Sequence, residues 1–381
     1  MKTPICDMFG IEFPLIAFTH CRDVVVAVSK AGGMGVFGAV SHPPDRLEEE
    51  LRWIDEHIDG KPYGIDLIVP NKIASESVGG LNREKVQAAI PQEYFRFAAG
   101  ILAQYDIPSE GLYSFRDDTF RASQNMQASG AAEVLEVAFS HPIRLVANAL
   151  GVPPKIMLEM GKQRGVPVAA LVGAKEHAIR QVQAGVDLLV AAGGEAGGHC
   201  GDVSTLVLIP EIYEAIQPYR KVPILAAGGI VTGRQMAACM AMGAAGVWTG
   251  SVWLTTSEAE TNPVVKQKML HASSRDTVRS KARTGKYSRQ LKSPWTEAWE
   301  AKDSPTPLPM PLQSLVTEPA LNRVDKLSQG GHEGAQQLAT YWVGQGVGLM
   351  NRQMSAAAVV QEFKEDFFNA FMRLSDALGE E

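Results

Sequence analysis

At 381 residues, with 45% hydrophobic and 20% charged residues, the chain has the make-up of a globular protein able to form one large domain or two ordinary ones. A net charge of −6 leaves no basic footprint for nucleic acid, and no apolar run approaches the roughly 20 residues that a membrane span needs. The opening Met1-Lys-Thr-Pro-Ile-Cys-Asp7 lacks the apolar core of a secretory signal, and the scattered Cys6, Cys21, Cys200 and Cys239 form no C-x-x-C pair, so free thiols in a reducing cytoplasm are expected.

The first strand signal is Phe13-Pro-Leu-Ile-Ala-Phe18. It ends in the polar turn Thr19-His20-Cys21-Arg22-Asp23, where Asp23 is placed to cap a helix over 24–30. Ala31-Gly-Gly33 stops that helix. Met34-Gly-Val-Phe-Gly-Ala39 is the second strand, 43–58 the second helix and Tyr63-Gly-Ile-Asp-Leu-Ile-Val69 the third strand. Gly33 to Gly38 spells G-x-G-x-x-G, but it leaves a helix and enters a strand. That is the reverse of a dinucleotide fingerprint, so it reads as a helix stop with tight strand packing.

Between 71 and 143 the pattern loosens. Helical patches at 83–89 and 92–104 precede a turn-rich, charged stretch over 106–130 and a helix at 130–139. This is too long for an ordinary βα loop; it reads as an insertion that forms a lid or a surface for a homodimer. Order then returns. Strands at 144–148, 166–172, 187–192, 223–227 and 246–249 alternate with helices at 153–164, 174–184, 205–217 and 232–242, the last capped by Thr232. Several strands are apolar throughout, as parallel strands covered on both faces are. Eight strand signals within 1–255 predict an α/β fold, a TIM (β/α)8 barrel, with a doubly wound open sheet as the alternative. The remaining 256–381 reads as a helical extension packed on the barrel and covering its mouth. It holds a basic run (Arg275, Arg279, Lys281, Arg283, Lys286), a Pro-rich stretch at 304–311, Tyr341-Trp-Val-Gly-Gln-Gly-Val-Gly348 and an amphipathic helix over 356–374.

In a barrel the loops after the strands form the active face. The sixth strand opens into Gly193-Gly-Glu-Ala-Gly-Gly-His-Cys-Gly201, five glycines around one carboxylate and one imidazole. Bare backbone lets a flat or anionic ligand come close, and His199 is a proton-transfer group beside it. Glu195 reads as a carboxylate that shapes the loop. Gly228-Gly229 follow the seventh strand and Gly250-Ser251 the eighth, the usual place for a barrel's phosphate site. The histidines show no metal-ligand spacing, so no metal is expected. Cys200 beside His199 does not by itself make a thiol–imidazole pair. The basic run reads as a solvated face, with an anionic partner such as a phosphopantetheine or CoA group as the alternative.

Gly193-Gly-Glu-Ala-Gly-Gly-His199, Ala226-Ala-Gly-Gly-Ile230 and Gly246-Val-Trp-Thr-Gly250 together closely resemble the nitronate monooxygenase (2-nitropropane dioxygenase) family. So do Ala31-Gly-Gly-Met-Gly35, Gly64-Ile-Asp-Leu67 and Trp342-Val-Gly-Gln-Gly346. These are FMN-dependent TIM-barrel enzymes, related to enoyl-acyl-carrier-protein reductase II. The resemblance implies that Gly197 and Gly198 lie against the flavin. It implies that Gly229, Trp248, Thr249, Gly250 and Ser251 hold the FMN phosphate. It makes His199 the base that takes the α-proton of a small nitroalkane, with O2 completing the oxidation to a carbonyl compound and nitrite. An NAD(P)H-dependent enoyl-thioester reductase on the same fold is the second reading, and a non-catalytic flavin-binding protein the third. Three positions depart from the family pattern. His20 stands in the segment Ala17-Phe-Thr-His-Cys21 where the family has Q-A-P-M, as a second acid/base group, a flavin contact or a hydrogen-bonded rim histidine. Asp66 replaces a common Asn and Ala192 a common Gln, and both changes remove an amide able to bond the flavin ring.

Overall fold

The computed structural model describes residues 1–40, 42–68, 89–113 and 128–379, with side chains from 132 onward in the last span. Its strands are β1 (Leu15–Thr19), β2 (Met34–Gly38), β3 (Tyr63–Leu67), β4 (Leu145–Asn148), β5 (Val168–Val172), β6 (Leu188–Ala192), β7 (Gly198–His199), β8 (Ile224–Ala227), β9 (Gly246–Thr249), β10 (Thr277–Ser280) and β11 (Ser288–Leu291). Eight of them close into a parallel barrel in the order β1-β2-β3-β4-β5-β6-β8-β9, with Ile16 opposite Trp248 where β1 meets β9. This is the (β/α)8 barrel that the alternating signals predict. Strand side chains alternate between two faces. Ile16, Met34, Val36, Leu145, Ala147, Val190, Leu225 and Trp248 therefore fill the interior, while Ile65, Leu67 and Val146 face the helices. Helix α1 (Pro4–Phe9) sets Ile5 and Phe9 into the interior cluster and so closes the end of the barrel where the strands begin.

Around the barrel run α2 (Arg22–Lys30), α3 (Pro44–His57), α4 (Gln92–Ala103), α5 (Ala128–Ser140), α6 (Lys155–Arg164), α7 (Lys175–Ala184), α8 (Thr205–Ile216) and α9 (Gly233–Ala241). The helix at 83–89 and most of 106–130 fall outside the described residues. Asp23 is not the cap expected of it: α2 starts two residues earlier, with Cys21 at the N-cap and Asp23 inside the first turn. There its charge still faces the positive end of the helix. Thr232 does cap α9, in a reciprocal arrangement with Gln235.

The tail adds α10 (Pro263–His271), α11 (Pro294–Glu300), α12 (Leu312–Gln329), α13 (Glu333–Leu338) and α14 (Ala356–Leu378). It is not simply helical. The basic run lies in and around an antiparallel hairpin, β10–β11, whose second strand, β11, is the middle strand of a three-stranded sheet and pairs on its other side with β7. Helix α14 lies across α9, held by Arg234, whose backbone N and Nε both donate to Asp366 (2.7 and 2.8 Å). No helix among the described residues is long and apolar enough to cross a membrane.

The α9–α14 crossing depends on Gly233. A Cβ there would meet the Phe363 carbonyl oxygen and the Phe367 nitrogen well inside contact distance. Gly233→Ala is therefore expected to cost about 2 kcal/mol, the range for forced overpacking. Gly100→Ala, on α4 with nothing within 4 Å of the added carbon, should be neutral or stabilising by up to ~1 kcal/mol. Urea unfolding midpoints of the two variants check this; equal midpoints would contradict it.

Candidate active site at the barrel mouth

The loop after β6 is pinned rather than free. Glu195 Oε2 accepts from both the Thr205 backbone N and its Oγ1, each at 2.9 Å, which fastens the loop to the first turn of α8. The Glu195 carbonyl accepts from Gln345 N at 2.9 Å. Arg289 Nε and Nη2 both donate to Gly194 O, at 3.0 and 2.8 Å. Glu195 is thus the loop-shaping carboxylate expected. The segment around Gly344 and Gly346 closes over the loops from above. A Cβ on Gly197 would meet Gly344 N at 2.7 Å, and one on Gly346 would meet Gly229 O at 2.6 Å.

Gly228 and Gly229 both take positive φ (108° and 69°), a backbone that L side chains rarely adopt, and they turn the chain between β8 and α9. Across from them, Ser251 Oγ accepts from Gly344 N at 2.8 Å. Gly250 has open space: an added Cβ would touch only Phe18 Cδ1, at 3.8 Å. Thr249 offers less than the sequence suggested. Its hydroxyl donates to Ile16 O and accepts from Trp253 Nε1, which also reaches the Thr249 carbonyl at 3.0 Å. Trp248 is an inward aromatic, stacked on Phe18 at 6.1 Å between ring centres, and forms floor rather than a polar cradle. Ala192 ends β6 on the interior face.

His199 sits on β7, opposite Ser288. Its ring is open to solvent yet flanked by protein, as in the wall of a concavity. Desolvation holds its pKa below the ordinary 6.5; a long hydrogen bond from Nδ1 to Tyr287 O (3.4 Å) offsets this only in part, and Lys286 lowers it further. A carbonyl only accepts, so Nδ1 carries the proton and Nε2 keeps a lone pair. His20 has the same character. Nδ1 donates to Gly38 O at 2.8 Å, and desolvation depresses the ring's pKa. Asp66 ends the inward row of β3, 2% exposed, and its Oδ1 has no hydrogen-bond partner. Burial pushes its carboxyl well above the usual carboxylate range. The Cys200 thiol is also pushed up by burial, despite Arg289 and Arg279 nearby, so it lacks the thiolate character of a nucleophile.

The mouth therefore combines a glycine-lined backbone cradle, a neutral imidazole and desolvated polar groups. The family profile for nitronate monooxygenase matches residues 2–366. The chain belongs to the nitronate monooxygenase family. With it, the chain belongs to the oxidoreductases. A Mycobacterium tuberculosis protein that carries the name of a monooxygenase, Rv1533, is 49% identical over 98% of both chains. A Staphylococcus saprophyticus protein named for nitronate monooxygenase is 26% identical over 95% of this chain and 96% of its own. The solved nitroalkane oxidase of Streptomyces ansochromogenes shares the fold, with a TM-score of 0.77 and 24% identity over 97% of this chain and 99% of its own.

Some features escape sequence reading. The pairing of β11 with His199's strand joins residues far apart in the chain and is announced only by a nondescript Ser-Arg-Gln-Leu. Cys21, Asp23 and Glu260 bring a thiol and two carboxylates within 4.8 Å, although Cys21 Sγ already donates to Glu258 O at 3.2 Å. Lys175, unassigned in the sequence, pairs with Glu211 at 3.0 Å on the surface. For His199 the consequence is measurable. Titrated by NMR in the protein without added ligand, its imidazole should lose its proton below 6.5 and be neutral at pH 7. A midpoint above 6.5 would contradict the desolvated setting.

Proposed function

We propose that the protein is an FMN-dependent nitronate monooxygenase that oxidises small nitroalkanes or their nitronates with O2. What carries the reading is His199: a neutral imidazole, fixed with Nε2 unprotonated, on the loop that lines the cradle. Family membership supports it. The residues present fit a flavin mononucleotide. The positive-φ turn Gly228-Gly229 and the open Gly250 leave backbone accessible to a phosphate, and Asp66 Oδ1 is an orphaned buried atom at the inner wall. Ser251 Oγ, accepting from Gly344, keeps its own proton to donate.

Bound there, FMN would supply the electron-accepting chemistry that takes nitronate and O2 to carbonyl compound and nitrite. The chain does the rest. His199 Nε2 takes the proton from the carbon beside the nitro group, and the Tyr287 carbonyl holds the resulting imidazolium through Nδ1. The low pKa keeps the base free at neutral pH. Lys286, close enough to act on His199, favours an anion near the imidazole. The strap around Gly344 and Gly346 limits water above the loops.

Two measurements test this. Purified protein reconstituted with FMN and kept anaerobic should show flavin bands that bleach on adding an alkyl nitronate. Bands unmoved by nitronate but bleached by NADPH would place the activity among the thioester reductases instead. With a neutral nitroalkane, kcat/KM should fall as pH drops through a pKa below 6.5, because a lowered pKa leaves the base free above that value and protonated beneath it. His199→Asn should reduce that kcat/KM by about a hundredfold or more and abolish the limb, while a preformed nitronate loses far less. An unchanged limb in the variant would remove His199 from the role of base.

A further inference from the structure

Helix α14 is longer than the body it packs on. Its 23 residues span about 34 Å. It starts at the mouth, where the Ala356 backbone N donates to the Glu258 carboxylate and the Glu258 carbonyl accepts from Cys21 Sγ, just after β1. It then runs along α9 and α2 toward the end of the barrel where the strands begin. There Lys364 Nζ donates to Ala31 O, in the turn ahead of β2. Phe367 meets Phe13, ahead of β1, edge-on with 5.7 Å between ring centres. Ala370 is the last buried residue of the helix. Two more turns follow, closed by Gly379 at φ 73°, whose N–H donates to the carbonyls of Ser375 and Asp376. None of residues 371–378 is buried.

The apolar face does not stop where the body does. Positions three and four apart share a helix face. Ala356, Val360, Phe363, Phe367 and Ala370 form the row that the chain itself covers, and Leu374 and Leu378 carry that row on. Phe371 lies beside them, and Phe368 and Met372 widen the face; the five side chains from Phe368 to Leu378 are between 42% and 77% exposed. At 3.6 residues per turn they sweep an arc of about 160°, as wide as the buried face of a packed helix. Of the 13 large apolar side chains exposed among the described residues, these five fall within 11 consecutive positions. Together they leave about 600 Å² of apolar surface, at the upper end of the largest patch on a typical monomer. All five lie beyond residue 366, where the match to the family profile ends.

The charges say what such an arc can meet. An anionic lipid surface is met by clustered cations, and along 371–378 there is one, Arg373, offset by Asp376. Both lie outside the arc, whose one other member between Phe368 and Leu378 is the uncharged Ser375. Two copies of the arc therefore face each other without bringing like charges together, and a two-fold pairing covers both at once. The area suits this: about 600 Å² from the helix, with the barrel rim beside it, approaches the roughly 800 Å² per partner of a standard interface.

We propose that the projecting end of α14 is the surface on which a second copy of this chain docks, the two helix ends pairing beneath the closed ends of the barrels. The mouths then point away from the contact. Nothing in it depends on the chemistry at the mouth, which lies at the other end of the barrel.

Sedimentation velocity and light scattering test this on the full chain. At about 10 μM, above the weak end of affinities for an interface of this size, the mass should be twice the 41.1 kDa of one copy. Phe371→Glu combined with Leu378→Glu should weaken the dimer about a hundredfold or more, since pairing would bury two carboxylates on each copy. A second variant that ends at Ala370 should be monomeric as well. Both should keep the circular dichroism and the activity of the unaltered protein, because the changed residues touch neither the core nor the mouth. Amide hydrogen exchange over 371–378 should be slow in the unaltered chain and fast in the double variant. A monomeric unaltered chain, or fast exchange over 371–378 in it, would overturn the proposal. So would a dimer that survives in both variants, which would put the contact elsewhere, or flotation of a monomeric chain with phosphatidylcholine vesicles, which would make the occupant a lipid surface.

Discussion

Glu195 is the constraint on which the mouth depends. Its carboxylate accepts two bonds from Thr205, its carbonyl accepts one from Gln345, and its Cβ lies 2.9 Å from where a side chain on Gly229 would begin. One residue thereby sets the loop after β6, the start of α8, the turn after β8 and the closing segment of the tail. The two carboxylate bonds are partly shielded from water, where a hydrogen bond to a carboxylate contributes about 1.5–3 kcal/mol. The glycines around Glu195 follow from this. Backbone is packed on backbone at Gly197–Gly344 and Gly229–Gly346, and any side chain would force these segments apart.

The basic hairpin has a part in the same assembly. Arg279 and Arg289 are direct partners across β10 and β11, an arrangement that like charges disfavour. Each cation has an outlet. Arg289 gives three of its N–H groups to Gly194 O and Thr277 Oγ1, and Arg279 lies 4.1 Å over the ring of Tyr287. Arg289, just beyond the run that composition assigns to a solvated face, thus braces the loop that carries His199, while Arg279 within the run rests on Tyr287.

The barrel was legible because its signals are local. Apolar runs such as Leu188-Leu-Val-Ala-Ala192 mark strands covered on both faces, and glycines such as Gly32 and Gly185 mark where helices stop. The loops of the mouth were legible for the same reason. What could not be read depends on partners distant in the chain. Ser288–Leu291 has no strand pattern of its own and becomes a strand through Thr277–Ser280 and His199. Thr249 looks like a ligand hydroxyl until Trp253 and Ile16 engage it. Asp66 is an ordinary carboxyl in the sequence, and only its burial shows that its pKa is pushed well above the usual carboxylate range.

The β7–β11 pairing bears on how the protein is made. His199 takes its place through Ser288, and its ring bonds Tyr287, 88 positions later. A nascent chain that has emerged as far as Thr255 already holds all eight barrel strands, yet its imidazole has no strand to rest on. Contacts of such sequence separation form late, because the intervening chain must first be ordered. The order of synthesis therefore separates two events. All eight barrel strands are thus made before the strand that seats the His199 ring.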